Sequence, residues 1–365
     1  MLLVGGGTGG HISPLLAIAE ALQKADPGVQ LQFIGGRRGR EDKLVPEAGI
    51  AFHAVPMASL RDPDSKRALL GAMIGVPLAY LDGMLQLIRS RPKVLVTSGG
   101  AIAIPIVLAA RTLRVPVYLW AGDALPGRSG RLLARFCTRI GVTFEQALRS
   151  FAGRRAAVTG TPIRASLLRW TREAARKAMD VPADAALVVV TGGSQGSERI
   201  NDAIFGALPQ LLQKAYVLHV TGEAHIAKAN ARERVLPEDL RKRYLPRPYL
   251  RDEMGAVLAA ADLVVGRAGA SSISEPLAFG TPLVLVPFGA AMEGHQEANA
   301  RAAMETGAAV IVRESQLPDR LTVEISGLLN DRARLGRMAE SAKRAGRPDS
   351  ANEIARSVLE LGGCL

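Results

Sequence analysis

Cysteine is nearly absent from this 365-residue chain, which holds only Cys137 and Cys364. Two thiols so far apart in sequence support neither a disulfide framework nor a metal site, and they point to a reducing compartment. The five histidines (His11, His53, His219, His225 and His295) show no H-x-x-x-H pairing, so a zinc site is disfavoured. Aromatic residues make up only 4% of the chain, and its lysines and arginines are scattered rather than blocked. That pattern argues against a nucleic-acid footprint. No glycine-rich stretch carries Gly-Lys-Ser/Thr, which excludes Walker-type handling of a γ-phosphate. Long apolar runs are missing too. One uncharged run, Ala68 to Leu81, has 14 residues and contains Gly71, Gly75 and Pro77. It falls short of the roughly 20 residues needed to cross a bilayer. Lys66 and Arg67 precede it and Arg89, Arg91 and Lys93 follow, which leaves two readings open. One is an apolar surface helix lying on an anionic membrane, the other a buried core helix. No signal peptide is expected ahead of the first strand.

The composition is otherwise that of a globular protein, 48% apolar and 22% charged. The length exceeds one ordinary core, so two domains are expected. A formal net charge of +12 favours anionic partners such as a phosphorylated substrate or an acidic membrane. Short apolar and β-branched runs alternate with helical patterns, the mark of βαβ units and parallel sheets. In the first half strands are expected at Met1–Val4, Leu31–Ile34, Ala51–Val55, Val94–Thr97, Val117–Leu119, Arg139–Val142 and Ala156–Val158. Gly160-Thr161-Pro162 reads as a hinge, followed by one helix over Arg164–Met179. A second series of strands is expected at Leu187–Thr191, Tyr216–Val220, Asp262–Val265, Leu283–Val286 and Ala308–Val312. Ser350 to Leu361 reads as an amphipathic helix returning to the first domain.

Both series open alike. Met1–Val4 runs into Gly5-Gly6-Gly7-Thr8-Gly9-Gly10-His11, then a helix expected over Pro14–Lys24. Val188–Val190 runs into Thr191-Gly192-Gly193-Ser194-Gln195-Gly196, then another helix. A third turn, Gly266 to Glu275, follows the strand at Asp262–Val265. Glycine turns at helix starts gather unpaired N–H groups and partial positive charge, a seat for phosphate. Gly5, Gly7 and Gly10 also satisfy a dinucleotide fingerprint, but the second strand ends in Gly35-Gly36-Arg37-Arg38 without an acidic residue. Two arginines there suit a 2′-phosphate, so an NADP oxidoreductase is a competing reading, although it leaves two turns without a purpose.

GGTGGHISP, TGGSQGSERIN, RAGASSISE and GHQEANA, in this order and spacing, resemble the MurG family of cell-wall glycosyltransferases, within glycosyltransferase family 28. Weaker echoes are Gly39-x-Glu41 with Leu44-Val45-Pro46, Gly99-Gly100 with Pro105, Gly160-x-Pro162-x-Arg164, and Pro248-Tyr249-Leu250-x-Asp252-x-Met254. The resemblance implies an α/β GT-B fold: two Rossmann-like domains with parallel sheets facing across a cleft. The domains expected are 1–162 for the acceptor and membrane side, 163–345 for the UDP-sugar, and a C-terminal helix at 346–365. It also implies inverting transfer of GlcNAc from UDP-GlcNAc to undecaprenyl-diphosphate-linked MurNAc-pentapeptide, lipid I, with no cofactor, no metal and no nucleic-acid partner. The place implied is the cytoplasmic face of the membrane, as a peripheral protein on its anionic surface.

Residue by residue, the resemblance implies that Ser194 and Arg164 hold the donor's diphosphate. Ala270, Ser271, Ser272, Ile273, Ser274 and Glu275 would line the donor, with Glu275 on the ribose. Leu250 would present its backbone to uracil, and His295 and Gln296 would read the sugar hydroxyls. Thr8, Gly9 and Gly10 would meet the sugar–diphosphate, with His11 the general base or a donor to phosphate. Blander readings stand beside these: Arg164 as a hinge ion-pair partner, Glu275 as a first-turn acid, Gln296 as a helix-start neighbour. The chain departs from the family at Trp120-Ala121-Gly122-Asp123, where His-Glu-Gln-Asn is usual, at Ala101 for a tyrosine and at Gly130 for an asparagine. Asp123 replaces an amide near the sugar–diphosphate and is a second candidate base. All three departures fall on the acceptor side, so a different lipid acceptor is one alternative and a non-turning lipid-diphosphate binder another. A UDP-GlcNAc 2-epimerase shares the two-domain plan, but the acidic and basic residues it needs around the sugar are not found.

Overall fold

The computed structural model describes residues 1–6, 9–36, 41–55, 66–193, 195–289 and 294–364, with the side chains of 9–11 and 66–74 outside the description. The chain divides into two compact units, Met1–Arg164 with Asp349–Leu365, and Ala165–Pro348.

The first unit runs β1 (Leu2–Val4), α1 (Gly9–Ala25), β2 (Gln32–Gly36), α2 (Glu41–Glu47), β3 (Ala51–Val55), α3 (Lys66–Ser90), β4 (Leu95–Thr97), α4 (Ala103–Thr112), β5 (Val117–Ala121), α5 (Arg128–Leu133), β6 (Arg139–Val142) and β7 (Ala156–Val158). The second runs α6 (Ala165–Leu168), α7 (Arg172–Ala178), β8 (Ala186–Thr191), α8 (Glu198–Leu212), β9 (Ala215–Val220), α9 (Ile226–Arg234), α10 (Glu238–Arg241), β10 (Tyr244–Arg247), α11 (Glu253–Ala260), β11 (Leu263–Gly266), α12 (Ala270–Ala278), β12 (Leu283–Leu285), α13 (His295–Glu305), β13 (Ala309–Ile311), α14 (Asp319–Asn330) and α15 (Arg332–Ala345). The last helix, α16 (Ser350–Leu361), belongs to the first unit.

The sheets follow one plan. The first has the order β3-β2-β1-β4-β5-β6-β7 and the second β10-β9-β8-β11-β12-β13. Pairing is parallel throughout both sheets, so the chain leaves every strand of a sheet at the same edge. Each order reverses once, between β1 and β4 and between β8 and β11, and that switch point is where open parallel sheets bind ligands. Alternation along the strands supplies a core on each face of the first sheet. Leu3, Phe33, Val96, Tyr118 and Trp120 face α1 and α16, while Leu2, Val4, Ile34, Leu95 and Leu119 face α3 and α4. Helix α16 buries Ile354, Ala355, Val358 and Leu359 there. Arg139 anchors it by donating to the Ser357 carbonyl and to Glu360 Oε2 (3.2 and 2.8 Å).

Three local expectations need correction, and an open one is resolved in part. Helix α1 starts at Gly9 rather than Pro14, which lies inside the helix. Glycine and an interior proline both disfavour helix, and tertiary packing overrides them. The helix expected over Arg164–Met179 is two, α6 and α7, separated where Thr171 Oγ1 caps α7 by accepting from Ala174 N (3.2 Å). Strand β10 has no counterpart among the expected strands; it is a four-residue edge strand containing Pro246 and lacks an apolar run. The Ala68–Leu81 run is part of a longer helix, α3, whose described part has two faces. Ala79 and Leu87 are buried, whereas Leu78, Leu81, Leu85 and Ile88 are exposed. Among the described residues no helix is long and apolar enough to cross a membrane.

Candidate functional site

The second unit's switch point sets two glycine turns side by side. One follows β8 and leads to α8; the other follows β11 and leads to α12. Gly196 N donates to the Gly193 carbonyl (3.0 Å), closing a turn in which Gly193 and Gly196 hold φ of +83° and +77°. A β-carbon on Gly196 would overlap the carbonyl of Thr221, so only glycine fits. At the second turn Gly269 precedes α12, and the first N–H groups of that helix have no side-chain cap. Two helix starts thus follow neighbouring strands at one edge of the sheet: α8 is capped by Ser197 Oγ, which accepts from Ile200 N, whereas α12 has no side-chain cap, and both bring partial positive charge.

Arg267, between the turns, ties them together. Its Nη2 donates to Ser197 Oγ (2.7 Å) and pairs with Glu314 Oε1 at 2.6 Å, and its Nη1 donates to the Val286 carbonyl (3.2 Å). The guanidinium also stacks over Phe288, 5.1 Å from the ring centre. A pocket of about 570 Å³ opens here, lined by Gly196–Arg199, Arg267, Phe288, Gly289 and Glu314. A larger cavity, about 920 Å³, opens at the opposite edge of the sheet among Arg172, Ala186, Ala215 and Asp262. The smaller pocket lies at the edge where the chain leaves β8 and β11, the edge at which open parallel sheets bind ligands.

Burial would raise the Glu314 carboxyl, but bonds from Arg267 and the Gly289 N–H, with Arg199 nearby, hold it below its ordinary value of 4.5. A carboxyl depressed on folding contributes its full stabilisation above the unfolded value and loses it as pH falls through the folded one. The second unit should therefore lose melting temperature below pH 4.5, and Glu314→Gln should make that acid limb shallower. Thermal unfolding from pH 7 to pH 3 checks this, and parallel limbs would refute it. Glu297 is depressed as well, against its own burial, by bonds from Arg313 and Arg301, so part of the limb remains in the variant.

The residues expected from the sequence fall as follows. Ala270, Ser271, Ser272, Ile273, Ser274 and Glu275 form the first turns of α12 at the switch point. Leu250, half-buried, follows β10, and His295 and Gln296 open α13 after β12, so all leave the same edge of the sheet. Gln296 carries more structure than expected. Its Oε1 accepts from Phe288 N (2.9 Å) and Ala268 N (3.3 Å), and Asn299 Nδ2 donates to the Ala268 carbonyl (3.1 Å). Ser194 lies outside the described residues. Asp123, Arg164, Ser274, Glu275 and His295 all have interaction partners.

In the first unit Gly5 and Gly6 follow β1, and Ser98, Gly99 and Gly100 follow its neighbour β4, flanking the other switch point. Gly99 and Gly100 hold φ of +87° and +88°. Asp123 is half-buried two residues beyond β5, a strand in which Trp120 Nε1 donates to the Gly160 carbonyl (3.0 Å). Gly9, Gly10 and His11 are the first residues of α1, with their side chains outside the description, and Thr8, Arg37 and Arg38 lie outside the described residues. Glu41, quoted above only as a motif letter, is buried: its Oε1 accepts from Gly36 N (3.1 Å) and a β-carbon on Gly6 would overlap it. Among the described residues no three His, Cys, Asp or Glu side chains gather as metal ligands.

Arg267, Glu314 and Asn299 are site-forming residues for which the sequence reading had no role. Arg267 sits inside a quoted motif, but Glu314 is 47 positions away in sequence and nothing local pairs them.

The glycosyltransferase family 28 N-terminal domain matches residues 1–142 and the family's C-terminal domain residues 187–354. A UDP-N-acetylglucosamine–N-acetylmuramyl-(pentapeptide) pyrophosphoryl-undecaprenol N-acetylglucosamine transferase of Desulforudis audaxviator is 36% identical over 100% of this chain and 98% of its own. A relative of the same name from Salinibacter ruber is 38% identical, over 99% of this chain and 96% of its own. The crystal structure of Acinetobacter baumannii MurG superposes with a TM-score of 0.77 at 24% identity, covering 98% of this chain and 99% of that one. The shared fold is GT-B-like, two domains of Rossmann-like parallel-sheet architecture.

Proposed function

The chain belongs to glycosyltransferase family 28, and on that premise we propose that it transfers GlcNAc from UDP-GlcNAc to undecaprenyl-diphosphate-linked MurNAc-pentapeptide, converting lipid I to lipid II. The observation that carries the donor half is the pair of glycine turns and helix starts meeting at the second switch point. In the reaction the acceptor oxygen attacks the anomeric carbon and the bond to the β-phosphate oxygen breaks. The acceptor proton passes to a base, and UDP leaves with inversion. Negative charge grows on the β-phosphate, and N–H donors fixed before the reaction are what stabilise it. One well-placed donor is worth about 2.7–4 kcal/mol at the transition state.

In this reading the donor contacts come from the C-terminal unit and from Arg164, which directly precedes it in the chain. The Gly192–Gly196 turn with Ser194, together with Arg164, takes the diphosphate. Ala270 to Ser274 line the donor, Glu275 takes the ribose hydroxyls, and the Leu250 backbone takes uracil. Gln296 has its carbonyl committed to Phe288 and Ala268, so its amide nitrogen is the end that meets the sugar, with His295 beside it. The N-terminal unit supplies Thr8, Gly9 and Gly10 for the sugar–diphosphate, and His11 and Asp123 as proton acceptors. The reading has no role for a metal, an organic cofactor or nucleic acid.

The protein would work as a peripheral enzyme on the anionic cytoplasmic face of the membrane. Leu78, Leu81, Leu85 and Ile88 recur at steps of three and four, so they form one exposed apolar stripe on α3. Exposed Arg89, Arg91 and Lys93 follow it, a combination suited to lying in an anionic interface.

The test is GlcNAc transfer to a short-chain lipid I analogue, run beside Asp123→Asn. The parent chain is expected to form the lipid II analogue; intact UDP-GlcNAc binding without transfer overturns lipid I as acceptor. The variant keeps the shape of the side chain and removes its basicity, so transfer should fall by about 100-fold with UDP-GlcNAc affinity unchanged. A rate that holds or rises assigns the base to His11 and makes Asp123 a stand-in for the family's amide.

A further inference from the structure

Beneath the Gly192–Gly196 turn runs a chain of buried polar side chains that the transfer reaction itself does not use. Tyr244 on β10, His219 on β9 and Asn201 on α8 are each 1% exposed or less. Tyr244 OH lies 3.0 Å from His219 Nδ1, His219 Nε2 lies 3.0 Å from Asn201 Oδ1, and Asn201 Nδ2 lies 3.0 Å from the Thr221 carbonyl. The direction of every bond follows from the last one. A carbonyl only accepts, so the Asn201 amide nitrogen must face Thr221 and its oxygen must face the imidazole. His219 Nε2 therefore carries the proton, Nδ1 offers a lone pair, and Tyr244 donates to it. This requires a neutral imidazole, and burial lowers the His219 pKa to about 3. Phe205 packs against the ring, 5.4 Å between centres.

The far end of the chain is the floor of the glycine turn. The Thr221 carbonyl that accepts from Asn201 is the atom a β-carbon on Gly196 would strike, and a β-carbon on Gly222 would stand 2.7 Å from the Gln195 carbonyl. The Thr221–Gly222 segment is held from its other side by β10, with Thr221 N donating to the Arg247 carbonyl (3.0 Å) and Gly222 N to that of Pro248 (2.9 Å). Three polar side chains in an otherwise apolar layer among Val217, Ile204 and Phe205 are costly to bury unless every bond is made. Here they end on the Thr221 peptide, against which Gly196 packs.

We propose that Asn201, His219 and Tyr244 are positioning residues that set the height of the Gly192–Gly196 turn, and hence its N–H donors, against the donor's diphosphate. This rests on the reading of that turn as the diphosphate seat.

The experiment compares UDP with uridine as calorimetric ligands of the full-length protein, in the parent, Tyr244→Phe and Asn201→Asp. Tyr244→Phe removes one hydroxyl at the start of the chain; Asn201→Asp replaces the donor facing Thr221 with an acceptor. A buried bond lost at that point is expected to weaken UDP by about tenfold in Asn201→Asp and by about threefold in Tyr244→Phe, with uridine held within about twofold. Amide exchange at Gln195 and Gly196 should quicken in the same order. UDP and uridine weakening together, or turn exchange unchanged while the melting temperature falls, overturns the proposal in favour of simple core packing. If the parent binds neither ligand, the transferase reading fails, and exchange at Gln195 and Gly196 still decides the positioning role by itself.

Discussion

Gly196→Ala is expected to remove UDP-GlcNAc turnover. Gly196 holds φ of +77°, and a β-carbon there would overlap the Thr221 carbonyl, a backbone group that cannot swing aside. Both the conformation and the space are wrong for alanine, so the turn must shift from the position proposed to seat the diphosphate. A transition-state loss above about 4 kcal/mol, or roughly a thousandfold in kcat, follows if the turn's donors are displaced. Gly206→Ala, in the exposed middle of α8 with nothing within 4 Å of the added carbon, is the control. It should leave turnover unchanged and stabilise the protein by about 0.5–1 kcal/mol. Steady-state kinetics on both variants checks the pair, and Gly196→Ala with more than a tenth of parental kcat would refute the assignment.

Asp262→Ala should cost the second unit the most stability of any single exposed-edge change. Asp262 Oδ2 accepts from Arg176 Nη2 (2.6 Å) and from Leu187 N (2.7 Å), and Oδ1 pairs with Arg172. Arg176 is 4% exposed and, among the described residues, otherwise bonds neutral carbonyls, those of Pro182, Ala183, Ala185 and Ala260. Burial lowers its pKa, which Asp262 opposes; without that carboxylate the buried guanidinium loses its bonded counter-charge and keeps only the weaker pull of Asp184. Removing one partner of such a pair costs about 3–5 kcal/mol, nearer the lower figure because Asp262 is partly open to water. For a unit of this size that is roughly 10 °C of melting temperature. Asp262→Asn keeps one acceptor and should lose about half as much. Calorimetry of the second unit's transition decides it; a shift below about 2 °C for Asp262→Ala would show that water replaces the carboxylate.

The strand pattern was legible because parallel strands buried on both faces read as short apolar runs between helices. Leu2–Val4, Ala51–Val55, Arg139–Val142 and Ala156–Val158 all lie at or within a residue of their expected bounds. Tyr244–Arg247 escaped because an edge strand needs only one good side and tolerates Pro246. The starts of α8 and α12 were legible through their glycines, as Gly193 and Gly196 show with backbone angles that other residues resist. Gln296 was recognised, yet the role of its carbonyl was not, since its partners Phe288 and Ala268 lie in other loops.

What the amino-acid sequence determined by itself is local: periodicity, glycines at strand ends, and motif letters that mark the family. Those follow from backbone sterics and side-chain alternation within a few residues. Which turns become neighbours was decided only by tertiary structure. Strand order sets β11 beside β8, and so brings Gly266 opposite Thr191 and Arg267 onto Ser197 and Glu314. The same order sets Tyr244 beside His219, one link of a buried chain whose members are scattered over 44 positions. Hydrogen bonds act at about 3 Å in space and carry no trace of separation along the chain, so no local pattern announces them.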